Sequence, residues 1–240
     1  MKKKIKVGNN IISSIGNFSF GGITPKYFDK HISQSIPFYK EGHETITNLS
    51  SFFLNKSSIA YDLGCSTGSL IKKIDTYNSK LNFKIIGIDY EKKMIEQAKK
   101  KNKISKNKVS FNCSNLLKFN FKKSDLIVSY YTIQFIKPKD RQKLFNKIYK
   151  SLNWGGAFIF FEKVRAKDAR FQDYMTQIYN DYKKSKNFSE EHVYNKSLSL
   201  RNVLEPYTSE ENKKFLKRSG FVDYMTIFKH INFEGFLAIK

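Results

Sequence analysis

Ten consecutive residues constrain this chain more than any others. Ile59-Ala60-Tyr61-Asp62-Leu63 is a β-type run, Gly64-Cys65-Ser66-Thr67-Gly68 is a cluster of small residues, and helical periodicity follows from Ser69 to Asp75. A strand that turns on small residues into a helix aims the free N–H groups of the first helical turn at whatever lies above it, which makes a ligand site. Gly64 and Gly68 let the backbone come close to a bound molecule, and Ser66 is expected to cap the helix. A dinucleotide fold would write the turn G-x-G-x-x-G; here Ser66 takes the second glycine position and Gly68 stands four residues after Gly64.

A second acid supports the first. The next β-type run, Phe83 to Ile88, ends in Asp89, where a carboxylate can accept from both hydroxyls of a ribose. Either aspartate alone could merely cap the helix after it. Together, each at a strand end, they point to an adenosyl ligand. The pattern Asp-x-Gly-x-x-x-Gly is that of a site for S-adenosyl-L-methionine, with Asp62 meeting the ammonium of its amino-acid end.

The rest of the chain alternates in the same way. Strands are predicted at 109–113, 126–129 and 157–161, helices at 92–101 and 139–152, and Trp154-Gly155-Gly156 as a turn into the fifth strand. The segments 225–230 and 233–239 look like a closing hairpin. We therefore expect an α/β, Rossmann-like, doubly wound and mostly parallel sheet with an antiparallel C-terminal hairpin. Residues 25–54 predict an N-terminal helical cap of two helices meeting near Tyr39, and 166–208 a helical lid insertion. Residues 1–24 are expected to be a flexible arm, leaving 25–240 as a single domain.

Further positions fall at strand ends. Asn115-Leu116 sits where a side-chain amide and a backbone N–H can grip an adenine, or is simply a polar turn. Ser129-Tyr130-Tyr131-Thr132 faces the crevice outside the carboxyl ends of the strands. Glu162 ends the fifth strand, as a cavity residue or as a salt-bridge partner. The four histidines stand near no nucleophile and are read as structural or surface residues. Methyl transfer accords with so few catalysts, because the sulfonium is already activated and the protein mainly aligns donor and acceptor.

Composition narrows the setting. Two cysteines, Cys65 and Cys113, without neighbouring ligands give neither a disulfide framework nor a metal site. No run approaches the roughly 20 apolar residues of a membrane span, and the lysine-rich start lacks the apolar segment of a signal peptide, so a cytoplasmic protein without membrane contact is expected. The balance of 44 Lys+Arg against 21 Asp+Glu, net +23, leaves nucleic acid open as a partner. Only five of those cations are arginines, however, and lysine is abundant throughout, which compositional bias explains as well.

These motifs carry a resemblance. Phe28-Asp29, Ser35-Ile36-Pro37-Phe38-Tyr39, Tyr61-Asp62-Leu63-Gly64-Cys65-Ser66, Gly87-Ile88-Asp89, Tyr131-Thr132-Ile133-Gln134-Phe135, Leu152 to Ala157, Glu162-Lys163 and Gly220-Phe221 make the chain similar to class I S-adenosyl-methionine-dependent methyltransferases. It resembles most closely their carboxy-S-adenosyl-methionine synthase (CmoA) branch. The resemblance implies a bound adenosyl cofactor and a homodimer. It places Tyr39, Gly64, Cys65, Ser66, Asp89, Tyr90, Asn115 and Leu116 against the cofactor, and Tyr130 where the family carries an asparagine.

Synthases of that branch use S-adenosyl-methionine and prephenate, and an arginine in the C-terminal helical region clamps the added carboxylate. The corresponding residue here is Ser197, and the nearest arginine, Arg201, stands one helical turn further on. The missing arginine favours an ordinary methyltransferase acting on a small-molecule acceptor under the lid. The alternative is a synthase holding carboxy-S-adenosyl-methionine for tRNA wobble-uridine modification, with Arg201 as the replacement clamp. A non-catalytic cofactor- or RNA-binding protein is a third reading, which the intact acid pair disfavours. Tyr131, Glu162, Ser197 and Arg201 are the candidate substrate contacts.

Overall fold

The computed structural model describes residues 4–22 and 24–240; residues 1–3 and 23, which belong to the expected arm, lie outside the described residues. A hairpin of β1 (Lys4–Lys6) and β2 (Ile12–Ser14) precedes two helices, α1 (Thr24–Ser35) and α2 (Tyr39–Phe53). Then strand and helix alternate: β3 (Ile59–Leu63), α3 (Ser69–Tyr77), β4 (Lys84–Asp89), α4 (Lys92–Lys101), β5 (Lys108–Cys113), β6 (Ser124–Tyr130), α5 (Pro138–Ser151) and β7 (Leu152–Lys163). A 3₁₀ turn at Ile133–Phe135 follows β6. Helices α6 (Ala169–Ser185), α7 (Glu190–Ser199) and α8 (Ser209–Ser219) lead to the antiparallel pair β8 (Asp223–His230) and β9 (Phe233–Ile239).

Seven strands form one sheet in the order β5-β4-β3-β6-β7-β9-β8, parallel except at β9 and β8. From β3 the chain first builds outward through β4 and β5, then returns to add β6 and β7 on the other side. The strand order therefore reverses between β3 and β6, and the crevice above their carboxyl ends is where such sheets take ligands. The central strands are buried on both faces, which is why they read as unbroken apolar runs. On one face Ile46, Ile71 and Ile74 of α2 and α3 pack on the sheet; on the other, Leu144, Ile148 and Leu216 of α5 and α8 do so.

Three elements depart from expectation. β7 begins at Leu152, and Trp154-Gly155-Gly156 lies in a bulge: Ser124 pairs with Leu152 but Leu126 with Ala157. The expected arm contains the β1–β2 hairpin, and Val7 and Ile11 of its loop together with Phe18 after it form a small core with Leu200 and Val203 beyond α7. Three bonds tie it to α7: the Gly16 and Phe18 N–H groups donate to the Leu198 and Ser199 carbonyls, each at 3.0 Å, and the Asn195 amide donates to the Lys6 carbonyl. Finally, α7 ends at Ser199, so Arg201 lies in the turn beyond it and does not occupy the next helical turn above Ser197.

Candidate active site

The acid pair is built by the sheet itself. β3 and β4 run in register, Leu63 opposite Ile88, so Asp62 and Asp89 reach the same carboxyl edge on neighbouring strands. Gly64 follows with φ 78°, and a Cβ there would overlap the Thr132 side chain, so only glycine fits under that residue. The Gly64 and Cys65 N–H groups both donate back to the Ile88 carbonyl, closing the turn. Ser66 is not the helix cap: Gly68 is, without a side-chain bond. Ser66 sits in the left-handed region at φ 48°, and its N–H donates to Asp89 Oδ2 at 2.9 Å.

Asp89 Oδ1 accepts from the Glu91 N–H at 2.9 Å, which fixes the carboxylate while leaving each oxygen a free lone pair toward the cavity. Burial raises its pKa against these backbone bonds. Asp62 is 2% exposed and faces the cavity with no described donor on its carboxylate. Burial, reinforced by the Asp89 charge, pushes its pKa up to about 7. A buried carboxylate without a partner is costly unless a cation arrives, and an amino-acid ammonium supplies one. This orphaned acid fits S-adenosyl-methionine, and Asp89 is set to take its ribose hydroxyls. Beyond β5, Asn115 Oδ1 accepts from the Leu117 N–H at 2.8 Å, while the Asn115 amide hydrogens and the Leu116 N–H have no described partner. Both groups line the cavity and suit an adenine edge. Tyr90 lines it too, with an exposed ring.

The cavity encloses about 1350 Å³ and extends from these strands across β6 and β7 to the lid formed by α6 and α7. Its middle is aromatic. Tyr130 donates to the Tyr39 carbonyl at 2.7 Å, its ring lies 4.6 to 5.0 Å from those of Tyr39, His43 and Tyr131, and it covers Gly42 of α2. Such faces suit a sulfonium cation. Tyr131 sits at φ 57°, its N–H held by the Phe161 carbonyl at 2.8 Å. The far end is cationic: Lys163 at the end of β7, Lys183 on α6 and Lys196 on α7 all line it.

Most expected site residues meet here: Tyr39, Asp62, Gly64, Cys65, Ser66, Asp89, Tyr90, Asn115, Leu116, Tyr130, Tyr131, Ser197 and Arg201 all border the cavity. Gly68 and Glu162 are not among its lining residues. Gly68 packs on Ala98 of α4 and on Asn102, which caps the end of that helix. Glu162 neighbours Lys163 on a strand, so its side chain leaves on the opposite face. There it accepts from the Ile133 N–H at 3.0 Å, and burial pushes its pKa up to about 8 despite the nearby Arg141. The Ser197 hydroxyl is spent on the Tyr194 carbonyl of its own helix at 2.7 Å. His31 and His43, read from sequence as structural or surface residues, both line the cavity, and burial keeps their imidazoles neutral. No group of three potential metal ligands occurs among the described residues.

Comparison with known proteins agrees with this geometry. Residues 60–156 match the model of a methyltransferase domain. Human N-acetylserotonin methyltransferase in complex with S-adenosyl-methionine shares the fold at TM-score 0.56 and 18% identity, covering 85% of this chain and 55% of that one. The cyclopropane synthase MmaA2 of Mycobacterium tuberculosis does so at TM-score 0.57 and 13% identity, covering 75% and 60%. Much nearer are carboxy-S-adenosyl-L-methionine synthases. That of Campylobacter lari is 37% identical over 93% of this chain and 94% of its own length. That of Staphylococcus epidermidis is 37% identical over 90% and 94%. The chain belongs to the S-adenosyl-methionine-dependent methyltransferase family, in the group that contains the carboxy-S-adenosyl-L-methionine synthases.

Proposed function

We propose that this enzyme is a carboxy-S-adenosyl-methionine synthase, joining a carboxyl group taken from prephenate to the methyl carbon of S-adenosyl-methionine. The observation that carries this reading is the polarity of one continuous cavity. Asp62 and Asp89 stand at the β3 and β4 end, and Lys163, Lys183, Lys184 and Lys196, against a single lining acid among the described residues, Glu190, at the β7, α6 and α7 end. Its volume of about 1350 Å³ exceeds that of an ordinary single-ligand pocket, typically about 300–1,000 Å³. A cofactor with a cationic sulfonium and ammonium suits the first end, and a dianionic co-substrate the second. The relatives that match nearly the whole chain carry the same activity in their names.

Prephenate aromatises on losing its ring carboxyl and hydroxyl, so the one-carbon unit leaves as carbon dioxide and the hydroxide takes up the displaced methyl proton as water. The cofactor supplies the methyl carbon, made acidic by the adjacent sulfonium. The chain's own part is to orient and exclude. Asp62 and Asp89 fix the adenosyl end, the Tyr39–Tyr130–Tyr131 wall flanks the reacting carbon, and the lid keeps water from the carbon dioxide before it is captured. The aromatic middle and the cover of α6, α7 and the hairpin favour a small molecule over a nucleic acid.

Ser197 in place of the family's arginine favours a second reading, plain methyl transfer to a small acceptor. One experiment separates them. Native mass spectrometry of freshly purified protein, followed by the mass of what it releases, should find a ligand heavier than S-adenosyl-methionine by one carboxylate. Incubation with S-adenosyl-methionine and prephenate should produce the same compound. Release of only S-adenosyl-methionine or S-adenosyl-homocysteine, with no product from prephenate, returns the enzyme to methyl transfer.

A further inference from the structure

Lys183 is 8% exposed, and its ammonium lies 4.3 Å from the centroid of the Tyr179 ring. Lys163 approaches the same ring at 4.6 Å, so the two ammoniums are no further apart than the sum of those distances. Lys196, partly buried one residue before Ser197, places its ammonium 3.2 Å from the centroid of Phe18, which follows the N-terminal hairpin. All three line the cavity, and none has a carboxylate within salt-bridge distance among the described residues. Tyr179 is held by its own hydroxyl, which donates to the Ser35 carbonyl at 2.8 Å, so the ring that both Lys163 and Lys183 approach is fixed.

Lys183 is buried and Lys163 and Lys196 partly so, and ammoniums so placed without a counter-ion tend to shed their proton unless something anionic joins them. Aromatic faces offset part of the cost of such burial and hold the ammoniums in place without neutralising them. Burial is the main cause of a lowered pKa at all three, and neighbouring cations add to it. Burial, then the Lys163 charge, brings Lys183 down to about 7; burial, then the Arg165 charge, brings Lys163 down to about 8; and burial, then Lys183, takes Lys196 well below the usual lysine range. Position adds the second argument. Successive strands stand about 4.8 Å apart, so Lys163 on β7 is two strands from Asp62 on β3, with Tyr130 on β6 between. A cofactor anchored at Asp62 brings its sulfonium over β6, within reach of a molecule held at Lys163.

We propose that Lys163, Lys183 and Lys196 form a carboxylate-binding subsite that holds the dianionic co-substrate against the cofactor, in place of an arginine clamp at position 197. The assignment rests on the synthase reading for the identity of the co-substrate, but not for the anionic character of the subsite. Two lysines come from the lid and one from the sheet, so an anion between them also draws the lid down. Neutral acceptors gain nothing from this arrangement.

The test uses the full chain loaded with S-adenosyl-homocysteine, titrated with prephenate and with phenylpyruvate by calorimetry in two buffers of different ionisation enthalpy at pH 8. Anion binding should recharge the lysines, so protons are taken up and the observed enthalpy depends on the buffer. K183M and K196M should each weaken prephenate binding roughly tenfold to a hundredfold, the usual worth of a charge-assisted contact, and phenylpyruvate binding less. K183R should restore most of it, and S-adenosyl-homocysteine affinity should not change. Tight prephenate binding without turnover would keep the subsite and overturn the synthase reading. Product formation with KM for prephenate unaffected in K183M and K196M would keep the synthase and overturn the subsite. Failure of the wild-type protein to bind either anion would also overturn it.

Discussion

The Ser66 N–H donates to Asp89 Oδ2 at 2.9 Å, so the acid that ends β4 also holds the turn that follows β3. Ser66 is in the left-handed region, at a cost of order 1–3 kcal/mol for a non-glycine residue, and this bond helps keep it there. Asp89→Ala should therefore remove the ribose acceptor and loosen the Ser66 turn together. S-adenosyl-homocysteine affinity should drop at least about a hundredfold by calorimetry, as two charge-assisted bonds are lost. The unfolding transition should remain cooperative. Retained affinity would overturn the placement of the ribose.

Asp62 makes cofactor binding depend on pH. Its pKa in the ligand-free protein is raised to about 7, and the cofactor's ammonium needs the ionised carboxylate. Affinity should hold near pH 7.5 and fall towards pH 5, approaching tenfold per unit below the pKa. The sign for stability is opposite. A carboxyl whose folded pKa lies above its unfolded value of 3.8 stabilises the ligand-free fold at low pH and loses that contribution as pH rises through about 7. Asp62→Asn should bind weakly at every pH and flatten the profile, which titrations at four pH values will show.

Gly64→Ala should fail for two separable reasons, its φ of 78° and the overlap with Thr132. We expect a loss of about 1–3 kcal/mol from the backbone alone, seen in denaturant unfolding. Pairing it with Thr132→Ala removes the Oγ1 and Cγ2 overlaps but leaves the residue 132 Cβ 2.8 Å away, so it should recover only part of the steric loss and leave the backbone part.

Glu162 lies outside the cavity, so its replacement should act on stability. Glu162→Gln keeps an acceptor for the Ile133 N–H and removes an acid whose pKa is raised from 4.5 to about 8 by burial. Its unfolding free energy should change little near pH 4 and exceed that of the parent increasingly as pH rises from 4.5 to about 8, because the unfolded parent ionises first. Glu162→Ala, which orphans the Ile133 N–H, should lose about 1–3 kcal/mol near pH 4, and the loss should shrink as the pH rises and the parent's own acid becomes costly.

The acid pair was legible because its signal is local: strand, small-residue turn and helix lie within a few residues, and the strand ends dictate where the aspartates point. The same logic fails where side chains converge from afar. Lys183 and Lys196 stand in a chain with 44 basic residues, and nothing in their neighbourhood distinguishes a lysine facing a cavity from one facing water. Glu162 was placed on the right strand, but a strand end alone does not say which face a residue takes; its period of two sends Glu162 away and Lys163 inward. Ser66 looked like a cap because serine often is one, while two left-handed residues in the turn move the cap to Gly68.

The ties between the N-terminal hairpin and α7 have a kinetic consequence. Gly16 and Phe18 are bonded to the last turn of α7, and Phe18 lies under the Lys196 ammonium. A door fastened to a latch from the opposite end of the polypeptide opens only when both swing together, or when several backbone bonds break at once. Entry and exit of any ligand in the cavity must then follow the loosening of the N-terminal segment as well as of α7.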